Sequence, residues 1–282
     1  MADIAYLKSM SSQVRRDVIR MVHGASSGHP GGSLGAADYL VALYFEAMDH
    51  DPSGFTMDGM GQDIFFLSNG HISPAWYSVL ARSGYFPIEE LSTFRKIGTC
   101  LQGHPCTDKG LPGIRVASGS LGQGLSVAIG AALAKKQNND PKTVYCLMGD
   151  GELQEGQPWE AIMFAAGNKV DNIIAAVDFN GKQIDGSLED VLPPGDLRAK
   201  WEAFGWHVLE ARGNDMDDVV TSLQIAMAHT RKAKPVVILL HTEMGYGVDF
   251  MMGTHQWHGK APNDEQAAKA LGQLEETIGD YH

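Results

Sequence analysis

Apolar residues at Leu7, Met10, Val14, Val18 and Met21 recur at helical spacing and predict a helix over residues 6–23. Leu34, Ala37, Leu40, Val41, Tyr44 and Met48 form one apolar face of a second helix, with Ser33 placed to cap its start. Residues 64–67 read as a short strand, and Ser73-Pro74 opens another helix with proline at its first position. Residues 122–134 form a Gly- and Ala-rich helix suited to close packing. From there the pattern is regular. Buried strands are expected over 144–148, 173–177, 206–209 and 236–241, with helices over 158–167, 197–204 and 217–229 between them. A polar helix over 263–278 ends the pattern.

Continuous apolar strands separated by helices mean an α/β fold: a doubly wound, mostly parallel sheet with helices on both faces. No repeat or linker interrupts the chain, so residues 1–282 are expected to form a single domain. Helices outweigh strands before about residue 140, so this N-terminal part is expected to wrap the sheet.

Composition narrows the function. The chain has 282 residues, of which 44% are hydrophobic, enough for a sizeable core. The formal charge of −12 speaks against nucleic acid, because duplex binders bring a basic face. The basic clusters Lys135-Lys136 and Arg231 to Lys234 read as solvated helix ends. The longest aliphatic run, residues 236–240, is too short to span a bilayer. Residues 1–8 lack an apolar signal core, so cytoplasm is the expected compartment and no membrane contact is expected. Cys100 and Cys106 flank His104 without a fourth zinc ligand nearby, which leaves them, with Cys146, as reduced thiols.

The chemistry centres on Gly149-Asp150-Gly151, at the end of the strand over 144–148. Ligands of doubly wound sheets bind beyond the carboxyl ends of the strands, where Asp150 can meet a metal. Flanking glycines let backbone N–H groups approach phosphate oxygens. The next strand leads into Asn180-Gly181-Lys182, which puts Asn180 beside Asp150. Magnesium takes oxygen ligands in an octahedron and commonly keeps water and phosphates. The Asp150 carboxylate, the Asn180 amide oxygen, the Lys182 carbonyl, two diphosphate oxygens and a water fill such a shell. The metal brings its own positive charge, so an acidic chain can bind a diphosphate this way.

These residues resemble the signature of thiamine diphosphate enzymes. Ser27-Gly28-His29-Pro30-Gly31-Gly32, Leu67-Ser68-Asn69-Gly70-His71, Gly103-His104-Pro105 and Gly119-Ser120-Leu121-Gly122-Gln123-Gly124 narrow the resemblance to transketolase. Asn180 to Gly186 and Trp257-His258-Gly259-Lys260-Ala261-Pro262 extend it to near the C-terminus. The resemblance is to the N-terminal, diphosphate-binding portion of that family. It implies Mg²⁺ on Asp150, Asn180 and the Lys182 carbonyl, with Ca²⁺ or Mn²⁺ as substitutes. It implies diphosphate contacts from Gly151, His71 and His258. Gly119, Ser120 and Leu121 would lie along the aminopyrimidine and Ile184 against the thiazolium. His29, His104 and His258 would face the sugar, and Glu155 matches a glutamate of the family's subunit interface.

Five histidines, His29, His71, His104, His255 and His258, lie in Gly- or Pro-flanked loops. Ketol transfer moves protons on and off sugar hydroxyls, work suited to groups that titrate near neutrality. Ser33 and Ser120 stand where many transketolases carry proline. Residues 247–252 lack the Asn-Lys of common full-length forms and look like the variant made as two polypeptides. The resemblance therefore implies a C-terminal, pyrimidine-binding partner subunit in an α₂β₂ assembly that acts on sugar phosphates. Alternatives are a 1-deoxyxylulose-phosphate synthase-like or unusual-sugar enzyme, or a non-catalytic cofactor-binding subunit.

Overall fold

A computed structural model describes residues 2–282. Helix α1 (Ile4–Gly24) starts where the Asp3 side chain accepts from the Tyr6 N–H. It is followed by α2 (Pro30–Gly35), α3 (Ala37–Ala42), strand β1 (Ile64–Leu67), α4 (Ser73–Arg82) and α5 (Gly124–Gln137). Then come β2 (Val144–Gly149), α6 (Gly156–Gly167), β3 (Ile173–Phe179), the hairpin strands β4 (Lys182–Gln183) and β5 (Gly186–Ser187), α7 (Leu188–Val191) and α8 (Leu197–Ala203). Strand β6 (His207–Arg212), α9 (Met216–His229), β7 (Val236–His241) and α10 (Asp264–Gln273) complete the order.

Five strands form one parallel sheet in the order β1-β2-β3-β7-β6. Its register sorts the apolar runs onto two faces. Phe65, Tyr145, Ile174 and Val236 stand in one row and pack with α1, α3, α4 and α9. The next row, Phe66, Cys146, Ala175 and Val237, faces the other way, onto α5, α6 and α8. Both faces are covered, which is why the strands read as unbroken apolar runs rather than alternations. Among the described residues no helix is long and apolar enough to cross a membrane.

Two elements differ from the sequence expectation. Ser33 does not cap a helix. Proline at the first turn starts α2 at Pro30, and Ser33 is buried inside it, its hydroxyl donating to the His29 carbonyl at 2.7 Å. The helix expected through Met48 is interrupted after Gly35, where a Cβ would stand 3.0 Å from the Glu243 carbonyl oxygen, and the helical segment ends in a π turn, Leu43–Ala47. The last helix keeps its start, with Asn263 and Gln266 forming a capping box, but stops at Gln273 rather than residue 278. Arg16 ends it by donating to the Leu271 and Leu274 carbonyls and holding Asp280, while Gln13 accepts from the Thr277 and Ile278 N–H groups.

Candidate metal and diphosphate site

Strands β1, β2 and β3 deliver their C-terminal ends to one edge of the sheet. The register sets Gly149 opposite Asp178, and the Asp150 N–H donates to the Asp178 carbonyl at 3.2 Å. The Asp150 carboxylate is buried and accepts from the Gly151 N–H at 2.7 Å and the Gly181 N–H at 2.6 Å. Asp178 is buried beside it. It accepts from the Thr242 hydroxyl and from the Asn180 amide nitrogen, the latter at 2.9 Å. Burial and then the nearby Asp178 push Asp150 up to about 7, and burial pushes Asp178 up to about 6.

Among the described residues no Lys, Arg or His lies within 4.0 Å of either carboxylate. Buried acids without a counter-charge are costly, and a divalent cation supplies that charge. Asn180 Oδ1 accepts from the Lys182 N–H at 2.9 Å and keeps a second lone pair for a metal. The Lys182 ammonium turns to Glu243 at 3.4 Å, so only its main chain is available to an ion. No group of three or more His, Cys, Asp or Glu side chains among the described residues is placed to hold a metal. The fit is to a hard cation held by one carboxylate, one amide and one carbonyl, with its remaining ligands from phosphate and water.

A cleft of about 380 Å³ opens over this edge. Twelve of the thirteen residues assigned a metal, cofactor or substrate role from the sequence line it: His29, His71, His104, Gly119, Leu121, Asp150, Gly151, Glu155, Asn180, Lys182, Ile184 and His258. Ser120 is exposed and does not line it, and His255 is likewise outside it. Glu155 is exposed at the rim, at the N-terminus of α6, and Ile184 is 60% exposed on the β4–β5 turn.

Four imidazoles converge in the cleft. The His29 ring centroid lies 5.2 Å from His71, 6.1 Å from His104 and 5.6 Å from His258, and His71 lies 5.1 Å from His258. Burial, and then the charge of His258, lowers His29 to about 4. Burial also lowers His71, His104 and His258. At neutral pH all four are uncharged and can each donate and accept one hydrogen bond. Nδ1 of His29 and of His258, Oδ1 of Asn69 and Oε1 of Gln183 are buried without a hydrogen-bond partner. Orphaned polar atoms in a cleft suit a polar ligand that would satisfy them. A larger hollow of about 560 Å³ lies by α1, but its Lys8 pairs with Asp217 and its Arg15 with Asp38, so it has no such unmet demand.

Glu152 was not legible in the sequence. It is buried, and Oε1 accepts from the Ser68 hydroxyl and from the Gly122 N–H at 2.7 Å, while Oε2 accepts from the Gly149 N–H at 3.2 Å. One carboxylate thus ties the ends of β1 and β2 to the loop before α5. A glutamate in a polar turn ordinarily points to water, so its residue type gave no signal. Asn69 and Gln183 each stood in a motif of the resemblance, but neither was assigned a role there.

The chain belongs to the transketolase family: residues 7–275 match the family model "Transketolase, thiamine diphosphate binding domain". Within it, the chain is 40% identical over 269 residues to SqwG, a 6-deoxy-6-sulfo-D-fructose transketolase subunit of Clostridium sp. (strain MSTE9), covering 95% of this chain and 96% of that one. It is 38% identical to one of the subunits of the apulose-4-phosphate transketolase of Phocaeicola vulgatus, covering 96% of this chain and 95% of that one. The transketolase crystal structure from Campylobacter jejuni superposes with a TM-score of 0.90 at 32% identity, over 100% of this chain and 44% of that one. The chain therefore spans less than half the length of that solved transketolase, and nearly all of the two subunits.

Proposed function

We propose that this chain is the metal- and diphosphate-binding subunit of a transketolase that moves a two-carbon ketol group from a ketose phosphate to an aldose phosphate. The observation that carries this reading is the pair of uncompensated buried carboxylates, Asp150 and Asp178, beneath four neutral histidines in one cleft. Asp150, Asn180 and the Lys182 carbonyl hold Mg²⁺. Gly151, His71 and His258 take the diphosphate, Gly119, Ser120 and Leu121 the aminopyrimidine, and Ile184 the thiazolium. Bound thiamine diphosphate supplies the chemistry that cleaves and forms the carbon–carbon bond.

The chain's own residues handle protons and orientation. His29, His104 and His258, neutral at pH 7, accept and return protons at the sugar hydroxyls, work that ordinarily supplies ~10²–10⁴-fold in rate. Glu155 meets a second copy across the interface. In an α₂β₂ assembly in the cytoplasm, a partner chain with a pyrimidine-binding domain completes the site and grips the substrate's anionic end. A second reading, favoured by the names of the relatives at 40% and 38% identity, is that the physiological donor is an unusual ketose carrying a sulfonate or phosphate.

The test is reconstitution. The purified chain is expected to show negligible ketol transfer, and addition of a pyrimidine-binding partner chain to restore it with a ketose and an aldose phosphate or a sulfo-ketose. Full turnover by this chain alone, or none with any such partner, contradicts the reading.

A further inference from the structure

Arg95 joins the two loops that carry His29 and His104. Its Nη1 donates to the Ser27 hydroxyl at 3.2 Å, two residues before His29. Its guanidinium also lies against Gly103, the residue before His104, so closely that a Cβ there would stand 2.5 Å from Cζ and 2.7 Å from Nη2. A side chain at position 103 would thus displace the guanidinium from this placement. The backbone is committed to this placement. Arg95 has a left-handed φ of 58°, rare for a residue with a side chain, and its N–H donates to the Leu101 carbonyl at 2.9 Å.

The arginine spends none of its charge on a structural ion pair. Among the described residues no carboxylate lies within 4.0 Å of it, and its Nε is buried with no hydrogen-bond partner. In a chain of net charge −12, an unpaired and part-buried guanidinium between two histidine loops is out of keeping with a merely structural arginine. Its positive field reaches both rings and adds to the burial that keeps them uncharged. The other groups facing these rings are His258 and His71, and Tyr77 faces Arg95 itself.

We infer that Arg95 is a positioning residue of the ketol-transfer site: one guanidinium bridges the Ser27 and Gly103 loops and fixes His29 and His104 relative to each other. The inference rests on the functional reading above. It assigns Arg95 no contact with substrate or cofactor.

Two measurements on Arg95→Ala and Arg95→Lys test it. The first is an NMR titration of the His29 and His104 imidazoles in the full chain, which needs no activity. Both are expected to titrate at higher pH in Arg95→Ala, with His207, at the N-terminal end of β6 and so at the opposite end of the sheet, unchanged as a control. The second is kinetics of the two-chain enzyme. In Arg95→Ala, kcat is expected to fall roughly 10–100-fold, the usual consequence of a misplacement of about 1 Å. The acid limb of its pH profile moves up, cofactor affinity is retained, and added guanidinium ion restores part of the rate. Arg95→Lys keeps the charge without the fork and recovers the titration but not the full kcat. Unchanged imidazole titration, or a parallel loss of cofactor affinity, kcat and melting temperature, overturns the inference. An inactive wild-type assembly with the expected titration shift counts against the ketol-transfer reading and leaves the bridge standing.

Discussion

A Cβ on Gly119 would stand 2.9 Å from both Cγ and Cδ2 of His104, so the backbone of one loop forms the seat for the imidazole of another. Gly119 also has φ of 131°, a conformation side chains disfavour. Gly119→Ala is therefore expected to shift His104 and to lower turnover of the assembled enzyme roughly 100-fold, at a folding cost of ~1–3 kcal/mol. Gly130→Ala is the control. That glycine is exposed on α5 with nothing within 4 Å of an added Cβ, and alanine there is expected to stabilise by ~0.5–1 kcal/mol. Steady-state rates and urea melts of both variants check this.

The helical layer depends on a buried ion pair remote from the cleft. Arg15 and Asp38 meet at 2.5 Å with each side chain 7% exposed, and the Leu34 carbonyl and Asn214 amide satisfy further valences. Asp38→Ala leaves the guanidinium buried and unpaired, and is expected to cost ~3–5 kcal/mol of stability. Lys8→Ala, which breaks an exposed pair with Asp217, should cost ~0–1 kcal/mol. Denaturant midpoints with unchanged slopes decide between them.

Stability should carry the imprint of the histidine cluster. His29 titrates near 6.5 when unfolded and at about 4 in the fold. Between those values the folded chain binds fewer protons than the unfolded one, so the contribution of His29 favours folding less as pH falls. His29→Gln removes that loss. Relative to wild type, its unfolding midpoint should rise as pH is lowered from 7.5 to about 4.5, the window set by that shift. The buried carboxylates titrate in both proteins and cancel in the difference. A difference that stays flat across the window contradicts the burial of this imidazole.

The sheet was legible because its strands are buried on both faces, which writes them as unbroken apolar runs such as Val236 to Leu240. Asp150 and Asn180 were legible for a related reason: each follows such a run, and neighbouring parallel strands bring their ends together. What the sequence hid depends on contacts between distant segments. The end of α10 is set by Arg16 on α1, more than 250 residues away, which no local pattern records. Gly35 leaves room for the Glu243 carbonyl, an approach between distant segments that no local pattern records. Glu152 and Arg95 have residue types that usually face water, so only their burial and partners reveal them.

The most direct test of the metal and diphosphate site is a calorimetric titration of thiamine diphosphate into the assembled protein, with and without Mg²⁺, for wild type and Asp150→Ala. Wild type is expected to bind only with the metal. Asp150→Ala should lose that metal-dependent binding while keeping the wild-type circular dichroism spectrum and assembly. Metal-independent binding by wild type, or unchanged affinity in Asp150→Ala, would contradict the assignment of Asp150 and its strand-end neighbours as the seat of the metal.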